Sequence, residues 1–273
     1  MFQITVCIAA LCDHGSACIV AADREITIGM PMNVGFEHHE SKIDSLANTC
    51  VAMSSGNALF ATEVIDLTRQ ALKSQSSLPV HKGAEKMKEV FMQLHLRRAE
   101  DVILAPRGWT LSEFKEHGGQ RLPLQAHTEI SQLFWQFNLG TDFIVAGVDA
   151  HGAHISWVHY NGVQGAGWLE SYDKLGFHAI GSGASHAAIL LSLGGQHKDL
   201  SAAETMYSVF HAKKNAEVAP GVGSTTDLGI ISTGGVRFFG PETLARLEEI
   251  KEKAESHTVD TAVLQTIYEQ GIG

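Results

Sequence analysis

The stretch MFQITVCIAAL carries one hydroxyl, Thr5, in a run of β-branched residues near the start of the chain. Strand propensity alone accounts for a threonine there, because its branched side chain packs well on a pleated surface. The chemical reading is sharper. In a chain that begins at Thr5, hydroxyl and α-amine share one residue, and the amine can take the hydroxyl's proton during attack on a carbonyl. Three other groups invite chemistry and are read structurally. Cys7 becomes a terminal nucleophile only if six residues are removed, so it is expected in the core. Glu37, His38, His39 and Glu40 are adjacent, and neighbouring side chains on an extended chain point apart, so this run is expected to be a solvated loop rather than a metal site. The Gly181–Ser182–Gly183 run is too common a pattern to specify phosphate binding and is expected to be a tight turn. No cofactor and no metal are expected.

The elements that must position Thr5 follow from pattern. TVCIAAL and ACIVAAD flank CDHGS, whose Asp13 and Gly15 suit a tight turn, so a β-hairpin is predicted. Both runs are apolar on both faces, which requires a sheet covered on both sides. A loop is predicted through IGMPMNVGFEHHE, then a strand over NTCVAMSSG. From Ala58, apolar residues recur at helical spacing through Leu72, and a second helix runs through Met87, Val90, Phe91 and Leu94. The stretch of roughly 96–140 is poorly patterned and reads as an insertion. DFIVAGVD and AHISWVHY form another hairpin, and GFHAIGSGAS passes from strand through the glycine turn into a helix near Ser185. Ser201 and Glu204 form a capping box for the next helix. STTDLGII and VRFFG are closing strands, and Pro241 opens a C-terminal helix. Hairpins apolar on both faces, alternating with helix pairs, predict an α+β fold with two antiparallel sheets stacked between two helical layers.

Composition narrows the function classes. A formal net charge of -10 and the lack of a basic run exclude a nucleic-acid or anionic-membrane surface. No apolar stretch reaches the roughly 20 residues a membrane span needs. The apolar start has neither a positive segment nor a clear cleavage site, so no signal peptide is expected. Cys7, Cys12, Cys18 and Cys50 include no C-x-x-C pair and are expected as buried free thiols in a reducing cytoplasm.

The joints between elements are more specific than their order. TVCIAAL…CIVAADREIT resembles the opening of proteasome β-type subunits, a Thr-Val strand followed by a strand ending Ala-Asp-Arg and a threonine. ESKIDSLANTCVAMSSGNALFATEVIDLTRQAL is similar to their next block, FIVAGVDAHGAHISWVHYNG and AIGSGASHAAILL to the later hairpin and its turn, and STTDLGII to the penultimate strand. The resemblance covers residues 3 to about 95 and 142 to about 233. It implies the four-layer αββα sandwich of the N-terminal-nucleophile hydrolases over residues 1–240, with the 96–140 insertion, and a helical extension over 241–273. It also implies a threonine-type peptidase, a peptide or unfolded-protein substrate, an ATP-dependent unfoldase as partner and a homo-oligomer. Carried over residue by residue, Thr5 is the nucleophile once residues 1–4 are removed. Asp23 is the acid, Lys42 the lysine, Gly56 an oxyanion-hole N–H and Ser182 the serine beside the terminus.

The chain also departs from the family. Set on the usual Thr-Thr-Val or Thr-Thr-Thr-Val start, Thr5 meets the last threonine, one or two positions past the nucleophile, and Ile4 or Gln3 falls at the catalytic place. Ile4 stands where self-processing members have glycine. The later Asp and Ser pair has no clean match, with Glu217 and Ser224 nearest to it. The start of the chain does not resemble an α-type subunit, which has a long helix ahead of its first strand. These departures motivate a second reading, a non-catalytic proteasome-like assembly subunit or binding scaffold.

Overall fold

The computed structural model describes residues 5–28, 34–73, 79–162, 166–254 and 261–271. The chain is a mixed α+β protein with antiparallel sheets and, among the described residues, eight α-helices. The expected first hairpin is β1 (Cys7–Cys12) and β2 (Ala17–Asp23), turned through Asp13–Gly15. β3 (Glu25–Ile28) and β4 (Val34–Glu37) follow as a separate two-stranded ribbon, with Glu25 opposite Glu37. The loop expected here is thus an antiparallel ladder on both sides of residues 29–33, which lie outside the described residues. β5 (Ile43–Ala47), β6 (Cys50–Ser55), α1 (Ala58–Leu72) and α2 (Val80–Ala99) come next.

The unpatterned stretch of 96–140 is not irregular. α2 runs on through a π turn, Glu100–Leu104, in which the Ala105 amide donates to the Glu100 carbonyl. α3 (Leu111–Arg121) and α4 (Leu124–Gln136) then pack with the end of α2 around Ala99, Ile103, Leu104, Phe114 and Phe134. Thr110 and Glu113 close a capping box at the start of α3, a local signal that the weak apolar periodicity of this segment obscures.

The second half supplies β7 (Asp142–Asp149), β8 (Gly152–Asn161), β9 (Ala166–Ser171), β10 (Phe177–Ile180), α5 (Ala184–Leu193) and α6 (Ala202–Ala216). It ends with β11 (Thr226–Ser232), β12 (Gly235–Phe238), α7 (Pro241–Ala254) and α8 (Thr261–Gly271). One five-stranded sheet has the order β10-β1-β2-β11-β12, and the other runs β5 to β9 in sequence order.

Alternation along β1 and β2 sets the packing. Val6, Ile8, Ala10, Ile19 and Ala21 face one way and join Met206, Val209 and Phe210 of α6. Cys7, Ala9, Leu11, Cys18, Val20 and Ala22 face the other way, onto Ile43, Val51, Met53, Ile144, Ala146 and Ile155 of the second sheet. The far face of that sheet, with Ala52, Phe143, Val145 and Val158, packs on Phe60, Val64, Met87 and Phe91 of α1 and α2. All four cysteines are buried free thiols, and burial pushes those of Cys7, Cys18 and Cys50 up to about 12. The apolar stripes of the C-terminal helices pack on their own chain: Leu247, Ile250, Leu264 and Ile267 are buried in the cluster with α6, while Val263 is about half exposed. Among the described residues no helix is long and apolar enough to cross a membrane.

Candidate active site

β1 and β2 are paired so that Cys7 faces Ala22, which brings Asp23, one residue past the register, level with the residues just ahead of β1. There Thr5 and Asp23 are both buried, at 1% and 0% exposure. The Thr5 hydroxyl donates to Asp23 Oδ1 and accepts from Lys42 Nζ. Lys42, immediately ahead of β5, also donates to both Asp23 oxygens, at 3.0 and 3.1 Å. The backbone amides of Val6 (2.9 Å) and Glu25 (3.0 Å) add to the hold on the carboxylate.

The Gly181–Ser182–Gly183 turn grips the backbone of Thr5. Gly181 has φ +96°, and a Cβ there would stand 2.2 Å from the Thr5 carbonyl oxygen, so this position requires glycine. Gly183 N–H donates to that oxygen at 3.2 Å, and the Thr5 amide donates to Ser182 Oγ at 3.3 Å. Ser182 in turn donates to the carbonyl of Pro220 at 2.9 Å. The turn therefore both opens α5 and seats Thr5. Thr5 itself has φ +148°, an outlier for a β-branched residue that costs on the order of 1–3 kcal/mol.

Of the five residues picked out in the sequence, Thr5, Asp23, Lys42 and Ser182 come together. Gly56 follows β6 at the same end of the stack: the thiol of Cys7, two residues past Thr5, meets the carbonyl of Ser54, two residues before Gly56, at 3.4 Å. Gly56 has φ +97° and its missing Cβ faces the Gly140 carbonyl. Gln3 and Ile4, the other placements of the nucleophile, lie outside the described residues. Glu217 and Ser224 bond elsewhere, Glu217 to Lys213 (2.6 Å) and Lys214 (2.8 Å), and Ser224 Oγ to Glu37 (3.1 Å). Sequence reasoning missed Gly223, whose amide donates to Asp23 Oδ2 at 3.1 Å, and the buried Lys213. A signal for Lys213 was present. Met206, Val209, Phe210 and Ala216 recur at helical spacing around it and put position 213 on the buried face of α6. Arg24 was missed too. It grips Asp227 through Nε (2.9 Å) and Nη2 (2.6 Å) and donates to the His39 carbonyl at 3.0 Å, tying β2 to the segment that delivers Lys42.

No protein-family model matches the chain, and no curated protein matches it. Among the described residues no cluster of three or more histidine, cysteine or carboxylate side chains is arranged to hold a metal ion.

Proposed function

We propose that this chain is an N-terminal-nucleophile amide hydrolase of threonine type, acting on peptides or unfolded protein after removal of residues 1–4. The observation that carries this reading is the buried Thr5 hydroxyl held between Lys42 Nζ and Asp23. An alcohol that receives a hydrogen bond from an ammonium group loses its proton more readily, and Asp23 orients that ammonium. With Thr5 as terminus, its α-amine takes the hydroxyl proton as Oγ1 bonds the substrate carbonyl carbon. The proton then passes to the leaving amine as the C–N bond breaks. Water, activated by the same amine, hydrolyses the resulting ester. Gly56 is the proposed donor to the oxyanion, a role worth roughly 3 kcal/mol where it operates. The strained φ at Thr5 supports removal of residues 1–4, because that torsion includes the Ile4 carbonyl and ceases to exist once the Ile4–Thr5 bond is cut.

The face-sharing sheets, each with helices on its outer side, support the four-layer αββα sandwich as the finer description of the fold. The buried free thiols support a reducing, cytoplasmic setting. We also propose a homo-oligomer and an ATP-dependent unfoldase partner, on the resemblance alone. Light scattering tests the first, and a monodisperse species at the 29.5 kDa of one chain sinks it.

Intact-mass spectrometry of the purified chain tests the central claim. The expected species starts at Thr5, and periodate, which cleaves a 1,2-amino alcohol, lowers its mass by converting Thr5 to a glyoxylyl group. Thr5→Ala is expected to keep residues 1–4 and to hydrolyse no peptide. A chain that retains residues 1–4 and whose peptide turnover is unchanged by Thr5→Ala points instead to the scaffold reading.

A further inference from the structure

Asp23 is the hub of the Thr5 cluster, and its Oδ2 is held partly from outside that cluster. It accepts from the Gly223 amide as well as from Glu25. Gly223 can come this close because it lacks a side chain: a Cβ would stand 2.9 Å from Glu25 Cβ and 3.2 Å from both the Glu25 nitrogen and Glu37 Oε1. Two charged side chains grip the turn around Gly223 from different elements. From α6, the buried Lys213 donates to the carbonyls of Gly223 (2.8 Å) and Ser224 (3.1 Å), beside its partner Glu217. From the end of β4, Glu37 accepts from Ser224 Oγ (3.1 Å), from the Thr225 amide (2.8 Å) and from the Thr225 hydroxyl. Burial disfavours the Lys213 cation and lowers its pKa, against the opposing pull of Glu217. An apolar side chain fills such a position at less cost, so the lysine is explained by the bonds it makes.

We propose that the 222–225 turn is a positioning element for Asp23, with Lys213 and Glu37 as positioning residues that hold the Gly223 amide on Oδ2. The inference rests on the reading of Asp23 as the acid of the Thr5 site and assigns that acid its outer support. An N–H aimed at a carboxylate favours its charged form, so a slack turn raises the pH at which Asp23 takes up a proton. The two residues separate support from simple charge. Loss of the Lys213 cation raises that pH by charge alone, whereas loss of the Glu37 anion lowers it by charge alone. Support through the turn requires both substitutions to raise it. The other titratable or charged groups around Asp23 are Cys7 on β1, Glu25 at the start of β3, Lys42 ahead of β5, Glu217 beside Lys213 and the Arg24–Asp227 pair between β2 and β11. They are the same in every variant.

The test is carbon-13 NMR of the full chain labelled at its aspartate carboxyls, with the Asp23 resonance assigned through Asp23→Asn. Its titration midpoint is followed in the wild type, Glu37→Ala, Gly223→Ala and Lys213→Met. Upward movement of about one pH unit is expected in the first two variants and at least as much in the third. If Lys213→Met does not fold, Glu37→Ala decides, since Glu37 is exposed. A Glu37→Ala midpoint that falls or stays in place overturns the inference. A wild-type chain that keeps residues 1–4 and turns over no peptide defeats the hydrolase reading and leaves this comparison intact. In an active chain, the acid limb of kcat moves with the NMR midpoint, whereas a purely structural role lowers only the melting temperature.

Discussion

The Thr5 end of the sheet stack and the helical segment of 96–140 differ in what fixes their residues. At the first, Thr5, Asp23, Lys42 and Ser182 arrive from separate stretches of chain, and backbone amides, a cation and two glycines without room for a side chain hold them. In the second, five buried residues form a small core of their own, while Leu124, Leu133 and Trp135 of α4 remain largely or partly exposed. A groove of about 780 Å³ runs along α4, lined by His127, Gln132, Trp135 and Asn138. One region is over-determined by contacts from distant parts of the sequence, and the other rests mainly on local ones. Substitutions should therefore act globally at the first and locally at the second.

The strongest test of that contrast is Asp23→Ala. It leaves the Lys42 ammonium, 15% exposed, facing no carboxylate, at an expected cost toward the lower end of roughly 3–5 kcal/mol. Denaturant unfolding reads that loss, and both removal of residues 1–4 and any peptide turnover should disappear with it. Next come two cavity variants of comparable chemistry. Met53→Ala empties a fully buried site between the sheets and should lower global stability by about 2–5 kcal/mol. Phe134→Ala, equally deep in the small helical core, should instead speed amide exchange within α3 and α4 and leave the protection of β1, β2 and β7 in place. Equal loss of protection everywhere would erase the distinction between the two regions.

The joint between the regions should respond to acid. His95 is 1% exposed, with its ring 4.0 Å from that of Tyr160 and 5.5 Å from that of Phe137. Burial holds its pKa down at about 4, against 6.5 for a free histidine. The unfolded chain therefore takes up the proton first, and stability falls as pH drops below 6.5 and levels off below about 4. At about 1.4 kcal/mol per pH unit the ceiling is near 3 kcal/mol. His95→Phe should flatten this part of the stability–pH curve; an unchanged slope assigns the acid sensitivity elsewhere, for instance to His178, which burial also holds near 4. The smallest effect belongs to Leu124→Ser, 81% exposed at the start of α4, which should move stability by no more than about 0.5 kcal/mol.

Much of the scaffold was legible because its signals are local. Turn chemistry marked the β1–β2 hairpin, and Ser201 and Glu204 do close the capping box ahead of α6. Pro241 did mark the start of α7. The β3–β4 ribbon and β9 escaped notice because their patterns are short or broken: β3 and β4 hold four residues each, with Gly35 inside β4, and Gly167 interrupts β9. The gathering of Asp23 and Lys42 at Thr5 was reached through resemblance, since nothing local to either residue reports a partner 18 or 37 positions away. Lys213 was passed over because a lysine in a polar run is read as solvated, although the periodicity of α6 turns it inward.

The π turn at Glu100–Leu104 sets the angle at which α3 and α4 leave the body of the protein. Each residue advances an α-helix by about 100°, and a π turn holds one residue more than the regular helix around it. Deleting Val102, the most exposed apolar residue of that turn, would restore regular winding and swing α3 and α4 by about that angle. Ile103 and Leu104 would then leave the side on which Phe114 and Phe134 wait. The turn thus behaves like the index pin on a shaft: its length in residues sets the direction of the attachment, while α1 and the sheets behind it keep their places.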